Sequence, residues 1–154
     1  RREEPRLVPL PAQRRLEPAP GLPFEPAFVH MAEARAQKWI VRQIIGEGNE
    51  RWSGPNPAMR FPLPAPGRYI AEVRFRAAAA TLKDTGPITL TFQAQGRPIG
   101  SVRVAGPEVR TFSAPVTLAG TEAELSFTVD KPWTSPVDGA VLGVVIQAMG
   151  FRRP

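Results

Sequence analysis

Among 154 residues there is no cysteine, one histidine and one tyrosine, and each scarcity closes a route. Without cysteine, neither disulfides nor thiolate metal sites can hold the fold together. A single His30 cannot supply the several His or Cys ligands that a zinc site wants, and it is the sole imidazole for a Ser-His-Asp arrangement. His30 lies between an N-terminal arm and the first strand and reads as a surface or interface residue. No run approaches the roughly 18 consecutive apolar residues that span a bilayer. The start, Arg1-Arg2-Glu3-Glu4-Pro5, lacks the apolar core of a secretion signal. Because it also lacks Met, the expectation is a mature or excised fragment, once preceded by a signal peptide, a membrane anchor or another domain. A membrane would then be reached only indirectly or through that missing anchor.

A charge of +6 and a pI near 11.0 would suit a polyanion if the basic residues clustered. They do not. Arg1, Arg2, Arg6, Arg14 and Arg15 are interleaved with Glu3, Glu4, Glu17 and Glu25, and Arg74, Arg76 and Arg103 alternate with apolar residues. This reads as a solvated basic face, with no nucleic acid as partner.

What the chain has in quantity is proline, 19 residues, and glycine, 13 residues, against 42% hydrophobic content. That combination excludes a helical bundle and demands many turns around one core. Seven of the prolines fall within residues 1–26, favouring an extended arm over helix or central strand. The division is an arm over 1–30 and a β-domain over 31–154. The arm's apolar residues Leu7, Val8, Leu10, Leu16, Leu22 and Phe24 are too many for a flexible linker, so it is expected to lie along a surface, its own or a partner's.

Period-two alternation dominates the rest. Tyr69, Ala71, Val73, Phe75 and Ala77 alternate with Ile70, Glu72, Arg74 and Arg76, one face apolar and the other mostly charged. Residues 88–93 and 99–104 form a hairpin about Gln95-Gly96-Arg97. Further strands are read over 39–45, 58–63, 109–116, 123–130 and 141–151, the last apolar on both faces and so central. A helical turn precedes the first over 31–38. Loops are read over 46–50, 52–57, 78–86 and 131–139, from their glycines, prolines and turn residues. The predicted fold class is all-β, an antiparallel β-sandwich (jelly roll) with a proline-rich extended N-terminal arm; a closed barrel is the alternative.

Three segments carry a resemblance: Arg51-Trp52-Ser53-Gly54-Pro55 followed by Met59-Arg60-Phe61-Pro62-Leu63, the hairpin from Thr91 to Gly100, and the closing run to Leu142-Gly143-Val144-Val145-Ile146. Together they resemble the jelly-roll, carbohydrate-binding-module-like domains attached to bacterial cell-surface glycosyltransferases and other envelope polysaccharide proteins. The resemblance covers about residues 38–151. It implies an extracytoplasmic setting: periplasm, cell surface or secreted. The sequence departs from that pattern before the final strand, where Asp138 stands alone in place of an acidic, arginine-bearing stretch.

Catalytic inventory is thin. Carboxylates for glycoside cleavage would have to come from Glu47, Glu50, Glu72, Glu122, Glu124 or Asp130. Glu72 and Glu124 alternate with core positions and belong to the solvent face. Gly46-Glu47-Gly48 lacks the spacing and lysine of a phosphate loop. Asp84, Asp130 and Asp138 offer oxygen for calcium without a recognisable ligand loop, so no metal and no cofactor is assigned. Sugar binding has a physical rationale, since aromatic rings offer flat apolar platforms and polar neighbours orient hydroxyls. The candidates are Trp52, Trp133 and Tyr69, with Arg51, Asn56 and Asp138 beside them; Trp39, opening an apolar strand, reads as core. Two functions follow. The first is a non-catalytic accessory or structural subunit that docks to a larger assembly, a protein partner, through its arm and a sheet face. The alternative is a module recognising an envelope or extracellular polysaccharide.

Overall fold

A computed structural model describes residues 24–154 of the chain. Eleven strands and two short helices follow in order among the described residues: β1 (Phe28–His30), α1 (Ala36–Trp39), β2 (Ile40–Ile45), β3 (Arg51–Pro62), β4 (Gly67–Arg76), α2 (Ala79–Thr85), β5 (Ile88–Ala94), β6 (Arg97–Val104), β7 (Arg110–Leu118), β8 (Glu122–Val129), β9 (Trp133–Thr134), β10 (Val141–Leu142) and β11 (Val145–Arg152). The fold is an antiparallel β-sandwich. Strand pairing runs β6-β5-β8-β3-β11-β4-β7, with β2 also on β3 and β1 also on β11, and β9 pairs with β10 by itself.

The long strand β3 joins the layers. Its end, Ala58 to Pro62, pairs with β8, while Arg51 and Trp52 at its start pair with β11. One layer is therefore β6-β5-β8 with the end of β3, and the other is β7-β4-β11. Between them lies the core: Met59, Phe61, Leu90, Phe92, Leu125 and Phe127 from the first, Val73, Phe75, Phe112, Ile146, Met149 and Phe151 from the second. Phe61 meets Phe151 edge-on at 5.8 Å, and Phe92 packs on Phe75 at 6.0 Å, so the aromatic rings bridge the layers.

Alternation places β4, the β5–β6 hairpin and β8 where the sequence predicts them. Five readings are corrected. The 52–57 turn cluster is the interior of β3. Between Ser53, opposite Ile44, and Ala58, opposite Arg42, several β3 residues face the single Gln43, whose φ is 57°. Pro55 and Pro57 fall inside this bulge, where side chains replace the ladder. Gln43 Oε1 accepts the Asn56 N–H at 2.6 Å and Arg42 Nε donates to the Asn56 carbonyl at 3.0 Å. The 78–86 loop contains helix α2, begun by alanines and ended at Gly86, φ 73°, whose N–H reaches the Leu82 carbonyl. The 141–151 strand is broken at Gly143 into β10 and β11, and the 131–139 loop contains β9. Trp39 closes α1 rather than opening a strand, and packs edge-on against Phe61 at 5.5 Å.

β1 pairs with β11 through His30, Val29 and Phe28, so the last three residues assigned to the arm belong to the sheet. Leu7, Val8, Leu10, Leu16 and Leu22 lie outside the described residues. Phe24 is 60% exposed, with the Arg35 guanidinium 4.3 Å from its ring centre. No helix among the described residues is long and apolar enough to cross a membrane.

Candidate functional site

Directly opposed residues of an antiparallel pair share a sheet face. Trp52 opposes Ile45 of β2 and Val145 of β11, and Val145 in turn opposes Arg76 of β4. Ile45, Trp52, Val145 and Arg76 therefore form one row across four strands, on the side away from the core. Ile45 is 52% exposed there.

Onto this row folds Trp133. Its strand β9 pairs with β10, and that hairpin is tied to β3 at Ser53, next to Trp52: Gly143 N–H donates to the Ser53 carbonyl at 2.7 Å, and Ser53 N–H to the Val144 carbonyl at 2.8 Å. A β-carbon on Gly143 would come within 2.6 Å of the Gly54 carbonyl oxygen, so only glycine allows this approach. Trp133 consequently stacks on Trp52, centroids 6.2 Å apart and planes 24° from parallel. Its indole N–H donates to Asp84 Oδ2 at 2.6 Å, fixing the ring from the α2 side. Both rings remain half-buried.

Beside the row sits a charged cluster. Arg76 donates through Nε and one terminal nitrogen to both oxygens of Glu50, each at 2.9 Å, and Gln147 Nε2 adds a bond at 2.7 Å. The Arg76 bonds, with that from Gln147, hold the Glu50 carboxyl down at about 2. Glu50 is thus held as an acceptor by three hydrogen bonds, two from Arg76 and one from Gln147. Glu72 is likewise paired with Arg152 at 3.0 Å, and Glu124 with Arg60 at 3.0 Å.

Of the six candidate residues, the fold brings together Trp52 and Trp133. Arg51 points to the opposite face of β3 from Trp52, into the end of the core seam. Tyr69 is buried in the core, its hydroxyl donating to the Ala65 carbonyl, and offers no exposed ring. Asn56 is committed to the β3 bulge, receiving Arg42 at its Oδ1 and donating to the Phe127 carbonyl at 2.8 Å. Asp138 is exposed and caps its own turn through the Ala140 N–H, in the loop that closes the β9–β10 hairpin. Asp84 and Asp130 are engaged with Trp133 and the Thr89 N–H, and no group of three or more potential metal ligands occurs among the described residues. Sequence reasoning missed Glu50, Arg76, Gln147 and Asp84 as members of this face. Arg76 was legible as outward-pointing, and Glu50 stands two positions from Trp52.

No protein family and no curated protein sequence matches the chain. Solved structures do. A family 35 carbohydrate binding module from Clostridium thermocellum is similar with a TM-score of 0.45 and 12% identity, over 72% of this chain and 78% of that one. Carbohydrate-binding module CBM36, in complex with calcium and xylotriose, gives 0.46 and 14% over 80% and 98%. An exo-β-1,3-galactanase from Phanerochaete chrysosporium gives 0.46 and 12% over 83% of this chain and 29% of that one.

Proposed function

We propose that this domain is a non-catalytic carbohydrate-binding module, and that the Trp52–Trp133 face is where it meets a polysaccharide. The observation that carries the reading is the stacked, half-exposed pair itself, assembled from distant parts of the chain and set beside hydrogen-bonding groups already fixed in place. Indole faces take the C–H face of a sugar ring, while Glu50, Arg76 and Gln147 offer both acceptor and donors to hydroxyls. Preorganisation lowers the entropy lost on binding. A polysaccharide partner suits a setting outside the cytoplasm.

Tryptophan emission titrated with a panel of envelope and extracellular polysaccharides tests this. Trp39 is also partly exposed, so loss of the change in the Trp52 and Trp133 variants is what assigns it to the pair. Binding should vanish in Trp52→Ala and in Trp133→Ala with the fold retained. A blank glycan array at high protein concentration, with unchanged emission, would overturn the reading.

The accessory-subunit reading keeps one observation in its favour: Phe24, where the described residues begin, is an exposed aromatic under Arg35. Deleting residues 1–26, Phe24 included, should then abolish co-purification with a protein partner and leave the domain folded; retained co-purification would refute it.

A further inference from the structure

Arg51 is 7% exposed and has no carboxylate within ion-pair distance among the described residues. A guanidinium stays protonated at every accessible pH, and a buried cation without a counter-charge is costly. One terminal nitrogen donates to Gln37 Oε1 at 2.8 Å and the other to the Met31 carbonyl at 3.2 Å, both neutral acceptors, and Nε has no partner among the described residues. Carboxylates are close in sequence or space, yet none pairs with it among the described residues. Glu50 faces the other side of the sheet with Arg76. Glu33 accepts Arg35 Nε at 2.8 Å on one oxygen and the His30 N–H at 2.9 Å on the other. Glu47 sits on the exposed β2–β3 loop without an ion pair among the described residues.

Arg51 also lines a cleft of about 730 Å³ between the β1–α1 loop and the β2–β3 loop, whose lining includes Ile44 and Ile45 together with Glu33, already held by Arg35, and Glu47 at the rim. We propose that this cleft is a second binding site, taking a small organic anion whose carboxylate pairs with the terminal N–H groups of Arg51 and whose short aliphatic body lies on the exposed Ile45. Gln37 and the Met31 carbonyl orient the guanidinium; its remaining terminal N–H groups suit the two oxygens of a carboxylate. Glu47 at the rim opposes the anion's charge and weakens its binding. Arg51 and Trp52 project to opposite faces of β3, so the site shares only Ile45 with the sugar-binding row.

The test uses the full chain and two probes of near-identical shape, butyrate and butyramide, read by NMR at the Arg51 Nε–H and Ile45 methyl resonances. Butyrate should give a saturable shift and butyramide none. Glu47→Gln should tighten butyrate about two- to fivefold, as expected for loss of an exposed like charge, and Trp52→Ala should leave it unchanged. Arg51→Gln should abolish the shift. Equal responses to the two probes, a shift of the same size and saturation with sulfate, or butyrate binding retained in folded Arg51→Gln would each overturn the assignment. Should Arg51→Gln not fold, Glu47→Gln decides: affinity unchanged or weakened refutes the site.

Discussion

Phe92 of β5 and Phe112 of β7 stack with centroids 4.0 Å apart and planes 5° from parallel, although their strands belong to different layers. They close the side of the sandwich where the edge strands β6 and β7 come together. Phe112→Ala removes this closure and leaves a void, so it should cost about 3 kcal/mol in urea unfolding, against about 1 kcal/mol for Phe112→Leu. Equal costs for the two variants would show that the void is not the source of the loss and that the stack itself carries it.

Gly150 lies against the Ala27 carbonyl and Phe28 Cα with no room for a β-carbon, at φ 147°. Because Phe151 N–H also donates to the Ala27 carbonyl at 2.7 Å, the chain before β1 is pressed flat on β11 here. Gly150→Ala should destabilise by about 2–3 kcal/mol. Hydrogen exchange should then rise first in β1, and uniform loosening of all strands would contradict the local origin.

The Glu50–Arg76 pair sets a pH dependence. In the unfolded chain the Glu50 carboxyl takes its proton near the ordinary 4.5, whereas in the fold it resists until about 2. The stabilisation is full above about 4.5 and is lost as pH falls through that window. With Glu50 33% exposed, solvent screens the pair, and Glu50→Gln should cost about 1 kcal/mol at neutral pH. Unfolding curves of the two proteins should converge as pH approaches 2; a gap that is constant with pH would place the effect elsewhere.

Asp84 holds the Trp133 ring from outside the β9–β10 hairpin. Asp84→Ala should red-shift Trp133 emission, lower its anisotropy and leave the fold intact. On the sugar-binding proposal, it should also weaken the polysaccharide about fivefold, equivalent to roughly 1 kcal/mol. Unchanged anisotropy would show that stacking on Trp52 suffices to fix the ring.

How much of this was legible depends on where the information resides. Strands β4, β5, β6 and β8 each bury one face, and a period of two survives in their sequence. The interior of β3 does not announce itself, because Gly54, Pro55 and Pro57 are turn residues; what keeps them extended is Arg42 and Gln43 on a neighbouring strand. Helix α2 hides behind Lys83-Asp84-Thr85-Gly86, which is turn chemistry serving as a last helical turn and its cap. Trp52 and Trp133 were legible as candidates because both lie among turn residues, but their stacking depends on a two-residue hairpin and a close approach at Gly143. Tyr69 illustrates the converse: its own alternation with Ala71, Val73 and Phe75 placed it on the apolar face, and an aromatic there is core before it is a platform.

Strand β11 follows every other strand described here in the order of synthesis, yet it occupies the middle, flanked by β4 on one side and by β1 and the start of β3 on the other. A nascent chain that has not yet exposed Val145 therefore holds two half-built layers with open, apolar borders. Productive assembly must wait for that final keystone, and a nonsense codon or stalled ribosome before Val145 would release a species primed to aggregate.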